Sequence, residues 1–187
     1  MSKKNITALI ETGPISGNYE NWFGEIAEEM LLGWQIIANG MVYRFKEIEF
    51  YYHDKNHPDT TAYGYMPQHF KKDNGRIYRH KGRQTMPLTW FVHYSGIDIV
   101  FGKENAPGGL LIRAIERMDG EKVELIKGPL VVMLELLNQG VNVFDGKGIE
   151  MRIVEAEYLI KKEIVRKPRV GLGESGYKDA KYNFSVD

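Results

Sequence analysis

Apolar and polar positions alternate over residues 42–52, V-Y-R-F-K-E-I-E-F-Y-Y, with a β-former at nearly every second place. The stretch therefore reads as a strand. Alternation sets Tyr43, Phe45, Glu47, Glu49 and Tyr51 on one face and Val42, Arg44, Lys46, Ile48 and Phe50 on the other. Upstream, Trp22, Phe23, Ile26, Met30, Trp34 and Ile37 recur at helical spacing among Glu20, Glu25, Glu28 and Glu29. The pattern predicts a helix over 18–38, stopped by Asn39-Gly40 as a left-handed terminus. Residues 1–17 read as an arm, broken at Gly13-Pro14 and Ser16-Gly17. Residues 53–59, H-D-K-N-H-P-D, are too polar for regular structure.

Downstream, 88–101 is strand-like, with Ser95-Gly96 as a turn or bulge. Strands are expected over 110–115 and 122–127, with Asp119-Gly120 turning the chain before the second. Gly128-Pro129 opens a helix running to Gln139, with Val131, Leu134 and either Leu137 or Asn138 as its packing face. Residues 149–160 lean towards strand, and 170–173 read as a last short strand. Strands outnumber helices without regular β-α alternation. The expected fold is α+β: one domain over 18–187, with a curved antiparallel or mixed sheet and a few packing helices.

Composition narrows the function classes. The 187 residues carry 25 basic and 25 acidic side chains and no cysteine. Thiolate chemistry and disulfides are excluded, and the balanced charge counts mildly against nucleic acid as a partner. No long apolar run follows Met1, so a cytoplasmic chain without a membrane segment is expected, and a monomer is the default. One local imbalance stands against the zero net charge. Lys71, Lys72, Arg76, Arg79, Lys81 and Arg83 cluster against the single acid Asp73, a pattern suited to tracking a phosphate backbone.

The candidate chemistry starts at Glu47 and Glu49. Two carboxylates two residues apart on a strand face lie roughly 7 Å apart. Repulsion and aromatic neighbours both favour a raised pKa, as a general acid or base near neutrality needs. Arg113 stands inside the apolar run L-L-I-R-A-I and requires a partner, either a core ion pair or a site cation. His53, Asp54, His57 and Asp59 lie close together near Glu49, and with His93 and Asp98 they offer imidazoles and carboxylates for a metal-dependent alternative. Their spacing matches no established ligand motif. No phosphate-binding glycine loop and no G-x-S-x-G elbow occurs, so no cofactor is expected and nucleophilic hydrolase chemistry is unsupported.

The order of these segments resembles that of the alkyladenine (3-methyladenine) DNA glycosylase family. The segments that carry the likeness are M-L-L-G-W, K-E-I-E-F-Y, Gly82-Arg83-Gln84-Thr85, G-L-L-I-R-A-I-E at 109–116, Gly128-Pro129-Leu130, P-R-V-G-L at 168–172 and the closing K-Y-N-F. The resemblance implies a base-flipping enzyme that rotates a damaged purine out of duplex DNA. Glu49 then matches the water-activating glutamate, Tyr51 the tyrosine that stacks on the base, and Arg113 an arginine near the pocket floor. The family's histidine corresponds to His57, with Tyr63 as the other choice, and His93 and Asp98 are further candidates for contacting the purine. The cationic segment would grip phosphates. The family's minor-groove tyrosine falls on Ser95, with Tyr94 adjacent, and its purine-reading asparagine falls near Gly102. These departures leave open a member of the superfamily that binds or hydrolyses a small purine-like ligand instead of DNA.

Overall fold

The alternating stretch becomes the centre of a sheet. In the computed structural model, which describes residues 5–62, 84–138, 148–157, 162–172 and 176–187, helix α1 is Ile6–Thr12 and α2 is Tyr19–Gly33. The strands are β1 Trp34–Ala38, β2 Met41–Tyr52, β3 Trp90–His93, β4 Gly96–Val100, β5 Gly108–Asp119, β6 Lys122–Lys127, β7 Met151–Glu155, β8 Ile164–Lys167 and β9 Asn183–Val186. Helix α3 is Pro129–Leu137. The fold is α+β, as expected, and every strand pairing is antiparallel. The main order is β3-β4-β5-β2-β1-β7, with β6 on β5 and β9 between β2 and β8.

Strand β2 has neighbours on both edges. Strand β5 follows it from Val42 to Tyr52, β1 covers 41–44 on the other edge, and β9 covers 47–49. Two register shifts flank Glu47, yet Phe45↔Ile115 and Ile48↔Ile112 fall in the same register. The irregularity is thus compensated, and Glu47, Glu49 and Tyr51 stay on one face. Ile48, Phe50 and Tyr52 face the other way, where Phe23 of α2 stacks on Phe50 at 4.9 Å and meets Tyr52 edge-on. Phe23, Ile26, Leu31, Ile48, Phe50, Leu110, Ile112 and Phe184 are all fully or almost fully buried in this core.

Several boundaries differ from the sequence reading. The helix expected over 18–38 ends at Gly33, and 34–38 is strand β1. Asn39 and Gly40, with φ of 52° and 75°, form the tight turn of the β1–β2 hairpin instead of ending a helix. Asn-Gly fits both structures, and tertiary pairing chose the hairpin. The expected arm carries α1, capped by Asn5 and packed through Ile6 and Ile10. Residues 170–172 are not strand; the C-terminal strands are β8 and β9. Helix α3 buries Val132 and Leu136, while Val131 and Leu134 are exposed, so its packing face is turned from the one expected. Gln139 and Gly140 lie outside the described residues. Among the described residues, no helix is long and apolar enough to cross a membrane.

Candidate functional site

Glu49 is fully buried, and all of its acceptor capacity is used. Oε1 accepts from the Val170 backbone N–H at 2.6 Å and from Asn183 Nδ2 at 3.2 Å. Oε2 accepts from Arg113 Nη1 and from the Tyr51 hydroxyl, both at 3.0 Å. A carboxylate offers about four lone-pair sites, and four donors take them. Topology places each donor. Asn183 lies directly opposite Glu49 on β9, and Tyr51 is two residues along β2. Arg113 projects from β5, while Val170 arrives on the irregular segment after β8.

Glu47 joins the same cluster. Its Oε1 accepts from Arg113 Nε at 3.1 Å and from Asn183 Nδ2 at 2.8 Å. One guanidinium and one amide therefore bridge both glutamates and offset their mutual repulsion. The side chains of Glu47 and Arg113 are 17% and 16% exposed, against 0% for Glu49. The cluster thus meets solvent through the Glu47–Arg113 edge, with Glu49 behind it. Of the two alternatives the sequence left for Arg113, the structure shows the ion pair, made to both glutamates. Burial, reinforced by the neighbouring Glu49 charge, pushes the Tyr51 phenol far above its usual range, so it stays a donor.

A second polar group sits on this face two strands away. Asp98 and Glu49 both pair with Leu111 of β5, and directly opposed residues share a face. Asp98 Oδ1 meets His93 Nε2 at 3.0 Å, and Oδ2 accepts from Gln84 Nε2 at 2.6 Å. The Ser95 N–H donates to His93 Nδ1, which fixes the ring proton on Nε2. Gly109 lies between the two groups because any Cβ there would stand 2.3 Å from Gln84 Nε2 and 2.6 Å from Asp98 Oδ2. Gln84 itself holds a φ of +58°, fixed by this bond and by the Gly108 N–H donating to its carbonyl.

His57 lies elsewhere. It packs on the α2 side, stacked on Tyr177 at 4.1 Å, with Nδ1 on the Tyr52 carbonyl and Nε2 on the Tyr182 hydroxyl. Burial holds its imidazole below the ordinary histidine value. The acidic and imidazole groups raised for the metal alternative do not converge. Asp59 pairs with Arg169, His93 with Asp98, and His53 Nδ1 faces the Asp59 carbonyl. Among the described residues, no three His, Asp or Glu side chains form a metal-holding group. Tyr63, Lys71, Lys72, Arg76, Arg79, Lys81 and Arg83 lie outside the described residues. Tyr94 is 78% exposed in the turn between β3 and β4. Near the position of the family's purine-reading asparagine, Gly102 admits no side chain: a Cβ would stand 1.9 Å from the Gly108 nitrogen.

Three contributors had no assigned role from sequence. Asn183 was visible as an amide between Tyr182 and Phe184, a polar residue inside an apolar strand. The Val170 backbone carries no sequence signal at all. Arg169 stands within P-R-V-G-L, and its partners are visible only in space. It is fully buried, pairs with Asp59 at 2.7 Å, and sits over the Tyr51 and Tyr182 rings at 4.8 and 5.5 Å. Clefts of about 630 Å³ between α1 and α2 and about 530 Å³ over His57, Tyr177 and Tyr182 do not include Glu49.

Comparison with known proteins gives distant likenesses. The chain is 24% identical over 194 residues to an uncharacterised protein of Acanthamoeba polyphaga mimivirus, covering 89% of this chain and 87% of the viral one. It is 26% identical over 162 residues to a putative 3-methyladenine DNA glycosylase of Corynebacterium glutamicum (strain R), covering 81% of this chain and 74% of the relative. No family model matches.

Proposed function

We propose that this chain is an N-glycosidic hydrolase that removes a damaged purine from duplex DNA, with Glu49 as its central carboxylate. The observation that carries the reading is the buried Glu49, held with Arg113 and Tyr51 on one sheet face. The distant bacterial relative supports the reaction class. Cleavage of a base–sugar bond builds positive charge at the sugar carbon. Two carboxyl groups sharing one guanidinium leave a formal charge of minus one in a largely dry site, which suits that developing charge.

Glu49 has no vacant acceptor for an attacking water. Of its four donors, the Tyr51 hydroxyl has no other hydrogen-bond partner among the described residues, whereas Arg113 and Asn183 are also tied to Glu47. A base stacking on the Tyr51 ring would displace this hydroxyl and free Oε2 for water. Stacking and activation are then one event, which keeps the carboxylate capped until a base arrives. Tyr94, exposed at the β3–β4 turn, is the aromatic ring available to fill the gap that a flipped nucleotide leaves. It stands in a turn, so strand alternation does not fix its direction.

The test is incubation of duplexes carrying alkylated or deaminated purines, with chromatographic detection of free base. Release of one such base, leaving an abasic site, is the expected result. No release from any duplex, with the protein folded, would reject the DNA reading.

A further inference from the structure

A row of directly paired residues leads across the sheet from the buried carboxylate to its last strand. Glu49 of β2 lies opposite Asn183 of β9, and Asn183 lies opposite Lys167 of β8. Opposed residues share a face, and Asn183 is on the glutamate face because its Nδ2 donates to Glu47 and Glu49. Lys167 therefore stands on that face two strand spacings from Glu49, roughly 10 Å. The chain itself sets a matching limit. Three residues beyond Lys167, the Val170 N–H reaches Glu49 at 2.6 Å, and three residues of chain span at most about 11 Å.

The Lys167 backbone is fixed, whereas its side chain is exposed. All four residues of β8 pair with β9, and Pro168 confines the residue before it to extended backbone. Arg169 is tied to Asp59, Thr61 and the Phe50 carbonyl. Among the described residues, the Lys167 ammonium has no hydrogen-bond or ion-pair partner. Glu47 and Glu49 are bonded to Arg113 and Asn183, and 10 Å is about one Debye length at 0.1 M salt, so they do not neutralise it. A lysine on an outer strand also guards against pairing with another chain, but that role alone would leave DNA affinity unchanged.

Charge balance gives this lysine a task. Glu47, Glu49 and Arg113 sum to minus one, and Arg113 is committed to both glutamates. A DNA backbone brought to this site is repelled unless a cation outside the cluster meets it. We infer that Lys167 binds the phosphate flanking the nucleotide that reacts at Glu49. The inference rests on the proposed action on duplex DNA and adds the residue that brings a polyanion onto a net-negative site. The contact is made at the exposed surface of the sheet, so it requires no cavity. A lysine serves here as a point charge, so an arginine can replace it.

Fluorescence anisotropy tests this with a labelled duplex carrying a central tetrahydrofuran abasic analogue, over a series of salt concentrations. Lys167→Gln should weaken binding about 5- to 10-fold at 0.1 M salt and reduce the salt slope by roughly one unit. Lys167→Arg should keep both. In single-turnover base release, Lys167→Gln should keep the saturating rate within about 2-fold while the half-saturating concentration rises with the dissociation constant. Wild-type affinity and slope in Lys167→Gln would overturn the inference. So would a loss that Lys167→Arg fails to restore, or a fall in the saturating rate at unchanged affinity. A reduced slope without base release from any duplex would reject the hydrolase and leave the phosphate contact; base release with an unchanged slope would do the reverse.

Discussion

At the scale of single residues, the chemistry lies in how few polar groups carry several duties. Tyr51 caps Glu49 with its hydroxyl and offers its ring for stacking, and the two duties can be separated. Tyr51→Phe keeps the ring and should retain activity within about 3-fold, whereas Tyr51→Ala should lose roughly 5- to 150-fold, the range for one stacked base. Single-turnover base release distinguishes them, and equal losses would mean that the hydroxyl is the group that matters. His57 gives a pH-linked prediction. Burial depresses its pKa from 6.5, so as pH falls the unfolded chain takes the proton first. Its stabilising contribution is complete above the unfolded value and is lost as pH falls below it, down to the folded pKa. Unfolding free energy from about pH 8 to about pH 5 should decline more steeply in wild type than in His57→Gln; parallel curves would contradict this. Glu47, Glu49, Tyr51 and Arg113 were legible because alternation and one charge in an apolar run are local signals. Asn183, some 130 residues from Glu49, became a partner only through the β2–β9 pairing.

At the scale of elements, the segment after β8 is the least regular part of the site and holds its buried carboxylate. The Val170 side chain is exposed, but its N–H makes the 2.6 Å bond to Glu49. Val170→Ala should therefore change stability by less than about 0.5 kcal/mol. Val170→Pro removes the donor and should cost about 1–3 kcal/mol. Urea unfolding reads the difference, and equal costs would show that the bond carries no weight. Sequence reasoning placed a strand over 170–173, yet the Val170 backbone serves Glu49 and Arg169 serves Asp59. Such service is invisible to periodicity. The β1–β2 hairpin shows the complementary case. Asn39-Gly40 was recognised as a break, but its ability to end a helix or to turn a hairpin left the choice to tertiary contacts.

At the scale of the whole molecule, one sheet separates two environments. Helix α2 and the aromatic core lie on one face, and the polar site lies on the other. The α+β class was legible because strand signals outnumbered helix signals; the strand order was not, since it depends on pairings far apart in sequence. Zero net charge with a cationic run at 71–83 predicts a specific salt response. Duplex affinity should fall steeply with salt, and replacing Lys71, Lys72 and Arg76 with glutamine should reduce the slope by roughly one unit per lost phosphate contact. An unchanged slope would remove that run from the interface. The most direct measurement is the single-turnover rate of base release from damaged duplex by wild type, Glu49→Gln and Glu47→Gln. The buried Glu49 should account for a loss of about 100-fold or more, and the part-exposed Glu47 for a much smaller one. Equal rates for wild type and Glu49→Gln would contradict the central claim.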